Sequence, residues 1–304
     1  MVNAIETERL TKRFGGFSAV HDLSFAVPAG QVTAVLGPNG AGKTTLIEML
    51  EGFQAPTAGQ VRVLNCDPRA GGRAGQRWRA RIGLVLQATS LDSQLTVLEA
   101  LRLWAGLFDQ PIPVAEVLDL IDLAGDAGTR IGALSGGQRR RVDLGLGVIG
   151  RPELLFLDEP TTGLDPEARR GLWAVIQQLA AGGTTVLLAT HYLDEAQRLA
   201  DRIIVLDDGQ IVADASPDQL RARGGMPVIR LRLPRGTALD GLPASLAGHV
   251  DPARGELSLP SADLTGDLAT LVAWARAGDV DLTGLEVGAP SLEDAYLALT
   301  GRTS

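Results

Sequence analysis

Short runs of apolar and β-branched residues recur along this chain, and most of them are bounded by glycine or polar residues. Runs of this kind are typical of strands buried in a parallel sheet. They predict strands at residues 31–36, 82–86, 154–157 and 184–190. From Leu95 to about Gly132 apolar residues recur at helical spacing, with a break at residues 111–113. The pattern predicts an α/β domain that is interrupted by a helical segment.

The stretches on either side of these elements differ in pattern. Residues up to about 67 form a β-rich N-terminal portion, and the Gly- and Arg-rich stretch 69–75 predicts a surface turn. Beyond residue 225, strand patterns at 228–233, 256–259 and 280–287 alternate with helical patterns at 263–277 and 292–299. Ser291 can cap the last helix. We therefore expect a large domain at residues 1–224 and a small α+β accessory domain at residues 226–304.

A complete phosphate-binding loop follows the first buried strand and leads into a predicted helix. Its glycines let backbone N–H groups converge on one point, and the helix N-terminus adds its positive dipole end. Lys43 can reach the outer phosphates of a nucleotide, and the Thr44 hydroxyl can bind Mg²⁺. The only other lysine is Lys12. The residues of the loop are Gly37, Pro38, Asn39, Gly40, Ala41, Gly42, Lys43, Thr44 and Thr45.

Two carboxylates end the strand at residues 154–157, on the edge of the sheet where open α/β folds bind their ligands. Asp158 in this position can hold Mg²⁺ through water, and Glu159 can act as the general base that polarises the attacking water. Taken alone, the pair would equally fit a strand that ends in a solvated acidic turn. The preceding phosphate loop favours the catalytic interpretation.

A second motif, Leu134 to Gln138, reads Leu-Ser-Gly-Gly-Gln and opens another helix. Together and in this order, the two motifs resemble those of the ATPase subunits of ABC transporters. The resemblance covers about residues 4–224 and implies a P-loop NTPase fold with a helical subdomain at about residues 88–150. It also implies a head-to-tail dimer, in which each ATP lies between the phosphate loop of one chain and Ser135, Gly136, Gly137 and Gln138 of the other.

Single residues acquire roles only through this resemblance. It implies that Gln87 contacts Mg²⁺ and reports nucleotide state, and that His191 contacts the γ-phosphate. Phe14 matches the aromatic residue that stacks on adenine, although a core role for Phe14 is also open. Asp165 lies in the loop that crosses the dimer interface. The other histidines, His21 and His249, match nothing and are interpreted as surface residues.

Composition limits the compartment and the partners that this protein can have. The sequence contains neither an apolar run of the ~20 residues that span a bilayer nor the pattern of a signal peptide. The single cysteine, Cys66, excludes an internal disulfide and fits a reducing compartment. A net charge of −8 argues against a nucleic-acid partner. Together with this composition, the resemblance to ABC transporter ATPases implies a cytoplasmic protein that lies peripherally on the cytoplasmic face of the cell membrane.

The tail sequence at residues 290–296 and the stretch 87–108 are similar to the daunorubicin-type multidrug exporter ATPases. This similarity implies an energy-coupling subunit that binds ATP and Mg²⁺, dimerises, and drives a separate membrane permease. Alternatives remain open at this stage: a soluble ABC ATPase that acts on ribosomes or DNA, or the ATPase of an importer. Ribosome-acting members carry two cassettes in one chain, whereas this sequence has a single cassette. DNA-repair members carry a long coiled coil between the two motifs, where this sequence has only a short helical insert.

Overall fold

The computed structural model describes residues 2–86, 91–223, 226–233, 237, 239, 242–251, 255–288 and 291–300. The chain divides into two compact units, Met1–Pro217 and Asp218–Ser304, and each is described by itself. The predicted domain boundary at residues 224–226 stays a prediction, since residues 224 and 225 lie outside the described ranges. Within those ranges, none of the helices combines the length and apolar character that crossing a bilayer requires.

The first unit contains an antiparallel sheet, a mainly parallel sheet and a set of helices. Its strands are β1 (Asn3–Phe14), β2 (Phe17–Pro28), β3 (Val32–Leu36), β4 (Ala58–Val63), β5 (Ile82–Val85), β6 (Leu154–Asp158), β7 (Thr185–Thr190), β8 (Arg202–Asp207) and β9 (Gln210–Ala215). Its helices are α1 (Lys43–Leu50), α2 (Gly72–Arg79), α3 (Val97–Ala105), α4 (Val114–Leu120), α5 (Gly136–Val148), α6 (Pro166–Ala181) and α7 (Leu193–Leu199). The next helix, α8 (Pro217–Arg223), begins at the boundary, and all but its first residue belong to the second unit.

The larger sheet has the order β5-β6-β7-β3-β8-β9, in which only the pairing of β8 with β9 is antiparallel. Every residue of β3, β6 and β7 is buried, as expected for strands covered on both faces. Leu36 pairs with Thr190, and Asp158 pairs with Ala189. The carboxyl ends of these three strands therefore meet at one edge of the sheet.

The antiparallel sheet has the order β2-β1-β4. A two-residue turn, Gly15-Gly16, joins β1 to β2, and Gly15 has a φ of +58° that favours glycine. Phe14 and Phe17 pair directly across this turn. The hairpin thus presents two aromatic rings at its tip.

Helices α3, α4 and α5 pack around an apolar core of their own, which includes Leu101, Ile121 and Val142. Two glycines in α5 are explained by close packing. A Cβ at Gly145 would lie 3.0 Å from Ile121 Cδ1, and one at Gly147 would lie 2.9 Å from Val85 Cγ2. Glycine lowers helix propensity by up to about 1 kcal/mol relative to alanine, and here the close approach of neighbouring elements requires it.

One local prediction was wrong: the stretch expected to be a surface turn at residues 69–75 contains the start of α2. Trp78 anchors this helix, because its ring is 1% exposed and its Nε1 donates to Val63 O at 3.0 Å. Gly75 is required by space, since a Cβ there would clash with Ala70 O. Glycine and arginine content predicted a turn, and tertiary packing of one tryptophan decided in favour of a helix.

The second unit is an antiparallel sheet with helices. Its elements are β10 (Val228–Arg232), α9 (Ala244–Ala247), β11 (Val250–Asp251), β12 (Glu256–Pro260), α10 (Leu264–Ala277), β13 (Leu285–Gly288) and α11 (Leu292–Thr300), and the sheet order is β11-β12-β10-β13. The predicted strand at 280–287 was too long, because pairing with β10 begins only at Leu285. Ser291 caps α11 as predicted, since its Oγ accepts from Asp294 N at 3.1 Å.

Candidate nucleotide-binding and hydrolysis site

The phosphate loop connects β3 to α1 and is held in place from both sides. Gly37 N donates to Thr190 O at 3.3 Å, which ties the start of the loop to the end of β7. Gly42 has a φ of +98°, and a Cβ there would lie 2.3 Å from Ala19 O. No other residue type fits this conformation and this space, so the loop depends on glycine at position 42.

Lys43 is the first residue of α1 and is only 5% exposed. Its Nζ donates to Gly37 O at 2.9 Å and to Pro38 O at 3.1 Å, so the side chain braces the loop that precedes it. Burial lowers the pKa of Lys43, and the neighbouring carboxylates of Glu159 and Asp158 oppose that shift. The ammonium lies at the edge of the cavity that the phosphate loop surrounds.

Glu159 follows β6 and is contacted from three directions. Its Oε1 lies 3.7 Å from Lys43 Nζ and 3.1 Å from His191 Nδ1, and Thr162 Oγ1 donates to its Oε2 at 3.1 Å. The backbone of Glu159 has a φ of +45°, which is uncommon for a residue with a Cβ. A cation, a histidine and a hydroxyl therefore fix the orientation of one carboxylate at the mouth of the cavity.

Asp158 is buried behind Glu159, with its Oδ1 lacking any hydrogen-bond partner in the described structure. Burial raises the pKa of Asp158, the Glu159 charge adds to the increase, and a hydrogen bond with Thr44 opposes it. An unpartnered buried carboxylate oxygen next to a threonine hydroxyl is unfavourable by itself. The same pair of oxygen donors is suited to a hard divalent cation such as Mg²⁺.

A cavity of about 650 Å³ brings nine of the predicted site residues together. Its lining consists of Phe14, Phe17, Ala19, Asn39, Gly40, Gly42, Lys43, Thr44, Thr45, Glu159, Thr162 and His191. Phe14 is 47% exposed and therefore does not belong to a core, and the ammonium of Lys12 lies 4.9 Å from the centre of its ring. The cavity is thus aromatic at the hairpin end and charged at the end of the sheet.

The second motif lies elsewhere on the same chain. Ser135 is the N-cap of α5, and it forms a reciprocal capping box with Gln138: Gln138 N donates to Ser135 Oγ at 3.2 Å. Ser135 and Gly136 are exposed, and none of residues 135–138 lines the cavity. Asp165 similarly caps α6, with its Oδ1 accepting from Ala168 N at 2.9 Å.

The predicted positions thus fall into three groups. The cavity unites Phe14, Glu159, His191 and six of the nine residues of the phosphate loop, with Asp158 directly behind them. Gly37, Pro38 and Ala41 belong to the same loop but do not line the cavity. The structure places the second motif and Asp165 at two exposed helix N-termini. Gln87 lies outside the described residues.

Sequence reasoning missed several contacts around the cavity. Phe17 was not considered, although Gly-Gly between two strand patterns is a hairpin signal that pairs the residues flanking it. Tyr192 was also missed: its ring lies 4.0 Å from the His191 ring, and the Arg169 guanidinium lies 4.6 Å from the Tyr192 ring. Arg169 comes from α6, so this stack depends on a long-range contact that no local pattern could reveal.

A buried acid near the site predicts an unusual pH dependence. Burial raises the pKa of Glu51, at the end of α1, from 4.5 to about 8, and the charges of Asp158 and Glu48 add to the shift. Between pH 4.5 and 8 the folded chain therefore binds more protons at Glu51 than the unfolded chain does. The contribution of Glu51 to the free energy of unfolding is therefore fully present below pH 4.5. It is lost as the pH rises towards 8, by up to about 1.4 kcal/mol per pH unit, because ionised Glu51 is unfavourable in the folded chain.

We expect Glu51→Gln to flatten the fall in free energy of unfolding over this window, as measured by urea denaturation between pH 5 and 8. Asp158 has a raised pKa as well, so only the difference between the wild type and Glu51→Gln isolates Glu51. The exposed Glu8→Gln serves as the control and should follow the wild-type profile. Parallel profiles for the wild type and Glu51→Gln would contradict the prediction.

Comparison with known proteins agrees with this geometry. Residues 20–162 match the family described as "ABC transporter", and residues 227–291 match "ABC transporter domain-containing protein-like, C-terminal domain". A daunorubicin resistance ATP-binding protein of Streptomyces coeruleorubidus is 39% identical, covering 98% of this chain and 96% of that protein. Nod factor export ATP-binding protein I of Rhizobium johnstonii is 38% identical, covering 98% of this chain and 95% of that protein.

Solved structures give the same result for the fold. An ATP-binding cassette of an ABC transporter in its ADP conformation superposes with a TM-score of 0.63 at 28% identity, covering 72% of this chain and 93% of that chain. A dimeric bacterial ABC transporter cassette gives a TM-score of 0.63 at 25% identity, covering 70% of this chain and 98% of that chain. The predicted fold and both family resemblances are confirmed. This chain belongs to the ABC transporter family, as one of its nucleotide-binding, ATP-hydrolysing subunits.

Proposed function

We propose that this subunit hydrolyses MgATP with Glu159 as the general base. Glu159 accepts a proton from the attacking water, whose oxygen bonds to the γ-phosphorus while ADP leaves. The contacts of Glu159 with Lys43, His191 and Thr162 support this role, because they hold the carboxylate at the cavity that takes the phosphates. Lys43 and the loop N–H groups bind the outer phosphates, and His191 contacts the γ-phosphate.

The side chains around Asp158 fit a magnesium ion. The unpartnered Oδ1 of Asp158 and the hydroxyl of Thr44 are hard oxygen donors, and a site with one carboxylate leaves room for water and phosphate oxygens. A bound Mg²⁺ would neutralise negative charge on the phosphates. Gln87 is proposed as a further ligand on the family resemblance alone.

The observation that carries the proposal furthest is the separation of the two motifs. The exposed N-terminus of α5 offers N–H groups and a hydroxyl suited to an anion, yet it does not line the cavity of its own chain. We infer that two copies pair head to tail, so that Ser135 to Gln138 of one copy close over the nucleotide of the other. Phe14 stacks on the adenine, and Asp165 lies at the interface between the copies.

The relatives support coupling to a membrane permease. Proteins named for daunorubicin resistance and for Nod factor export are similar to this chain over nearly its full length. We propose that this subunit drives export through a separate integral-membrane permease, on the cytoplasmic face of the cell membrane. In this arrangement the permease selects the substrate.

Crosslinking tests the composite site. Cysteines introduced by Asn39→Cys and Ser135→Cys, in a Cys66→Ser background, should form a disulfide between chains when MgATP is present and not when nucleotide is absent. Glu159→Gln is added to slow turnover and to accumulate the dimer. Non-reducing gel electrophoresis separates dimers from monomers.

The matched control pairs Asn39→Cys with Gln177→Cys; Gln177 is exposed on α6 and does not line the cavity. This pair should give no nucleotide-dependent dimer. Crosslinks within one chain, or crosslinks that form equally well without nucleotide, would refute the head-to-tail arrangement. Export is tested separately, by cellular efflux with the permease and either wild-type subunit or Glu159→Gln.

A further inference from the structure

Arg140 is a buried charge that the proposed reaction does not use. It lies in the second turn of α5, the helix that begins after Ser135, and it is 8% exposed. Removing a guanidinium from water is costly unless its donors are satisfied. The location of its partners therefore indicates what this side chain does.

The guanidinium donates to backbone carbonyls of two separate segments. Its Nε donates to Pro160 O at 2.8 Å, and its Nη2 donates to Asp158 O at 3.1 Å and to Glu159 O at 3.3 Å. Its Nη1 donates to Leu86 O at the end of β5. The planar five-donor fork of arginine suits such a set of diverging acceptors, whereas the compact lysine ammonium does not.

The charge of Arg140 is balanced by acids inside the protein. Asp143 Oδ2 lies 3.7 Å from its Nη1, on the same face of α5. Burial lowers the pKa of Arg140, and Asp143, Asp158 and Glu195 oppose that shift. The side chain is thus held as a cation in a fixed position between α5 and the end of β6.

The three consecutive carbonyls that Arg140 binds belong to the turn that aims the catalytic carboxylate. Glu159 occupies the left-handed region at this turn, with a φ of +45°. Such a conformation persists only when surrounding contacts hold it. Glu159 N donates to Ala189 O at 2.9 Å on one side, and Arg140 binds the carbonyl side.

We propose that Arg140 is a positioning residue that couples the helix carrying Ser135 to the carboxylate of Glu159. In the head-to-tail dimer, which this inference takes from the proposed function, the N-terminus of α5 contacts the nucleotide bound by the other copy. The same helix, through Arg140, holds the turn that aims the general base at its own nucleotide. Arg140 is therefore a direct mechanical connection between the two ATP sites of a dimer.

The test is steady-state ATP hydrolysis by the full chain carrying Arg140→Gln. We expect kcat to fall roughly 10- to 100-fold, the effect of a misplaced catalytic group, while the Kd for MgATP measured on the monomer changes less than about twofold. Any cooperativity of hydrolysis with respect to ATP should be lost. Arg139→Gln, an exposed neighbour on the same helix, should keep wild-type kcat and Kd.

A second comparison separates positioning from general destabilisation. In a Glu159→Gln background, adding Arg140→Gln should not reduce residual hydrolysis further, because Arg140 acts through Glu159. If Arg140→Gln fails to fold, Arg140→Lys replaces it in the test. Lysine keeps the charge but lacks the planar guanidinium, so this variant should show a smaller loss of kcat in the same direction. Normal kcat in the folded variant overturns the role of Arg140. So does a loss of kcat on adding Arg140→Gln to Glu159→Gln that is as large as the loss in the wild-type background. Normal hydrolysis by Glu159→Gln alone would instead refute the proposed general base.

Discussion

Glu159→Gln is expected to abolish most ATP turnover while leaving MgATP binding close to that of the wild type. The amide keeps the size and one hydrogen-bond acceptor of the carboxylate, but it cannot accept the proton of the attacking water. General-base catalysis contributes roughly 10²–10⁴-fold, and a loss of that size is expected in kcat. The variant should therefore accumulate as a nucleotide-bound dimer, visible as an earlier peak on a sizing column when MgATP is supplied.

The surroundings of Glu159 explain why binding should survive. Lys43 keeps its two hydrogen bonds to the loop carbonyls whether or not residue 159 is charged. Glu167→Gln, an exposed acid in the first turn of α6, is the matched control and should hydrolyse ATP normally. Near-normal kcat in Glu159→Gln would assign the base to another group, and loss of MgATP binding would assign Glu159 to the nucleotide site itself.

The sequence predicted the parts of the site that depend on local backbone geometry. A buried strand followed by a glycine-rich loop and a helix has few conformations, so the path of residues 37–45 could be predicted from composition and spacing. Because open α/β sheets bind their ligands at the carboxyl ends of their strands, the same reasoning predicted that Asp158 would lie near that loop. The role of His191 was predicted from the family resemblance.

Features set by long-range packing were not predictable in this way. The Arg-Arg-Arg run at residues 139–141 looks uniform in the sequence, yet the three side chains differ in the structure. Arg139 is exposed, Arg140 is buried against backbone carbonyls that follow β5 and β6, and Arg141 pairs with Asp122 at 2.7 Å. Only the rotation of α5 against the sheet distinguishes these three residues. The start of α2 was missed for a related reason, because the pocket that holds Trp78 is built by residues distant in sequence.

Lys43→Met is expected to weaken MgATP binding about 10- to 150-fold and to make hydrolysis undetectable. Methionine preserves much of the buried stem and removes the charge, so the variant tests the ammonium rather than the packing. Hydrogen bonds to charged groups contribute about 1.5–3 kcal/mol, which corresponds to that range of affinity. Gly37 O and Pro38 O would lose their hydrogen bonds from Lys43, and Glu159 would lose the cation 3.7 Å away.

Comparing the loss of affinity for ATP, ADP and AMP distinguishes phosphate binding by Lys43 from simple collapse of the phosphate loop. Lysine in this motif reaches the outer phosphates, so Lys43→Met should lose more affinity for ATP than for ADP, and least for AMP, in titrations followed by a fluorescent nucleotide. Lys12→Met, at the only other lysine, removes the ammonium that lies 4.9 Å from the centre of the Phe14 ring. It should weaken the binding of all three nucleotides equally, and by less than Lys43→Met weakens the binding of ATP. Equal losses for ATP, ADP and AMP in Lys43→Met would mean that the ammonium acts by bracing the loop carbonyls instead of by binding phosphate.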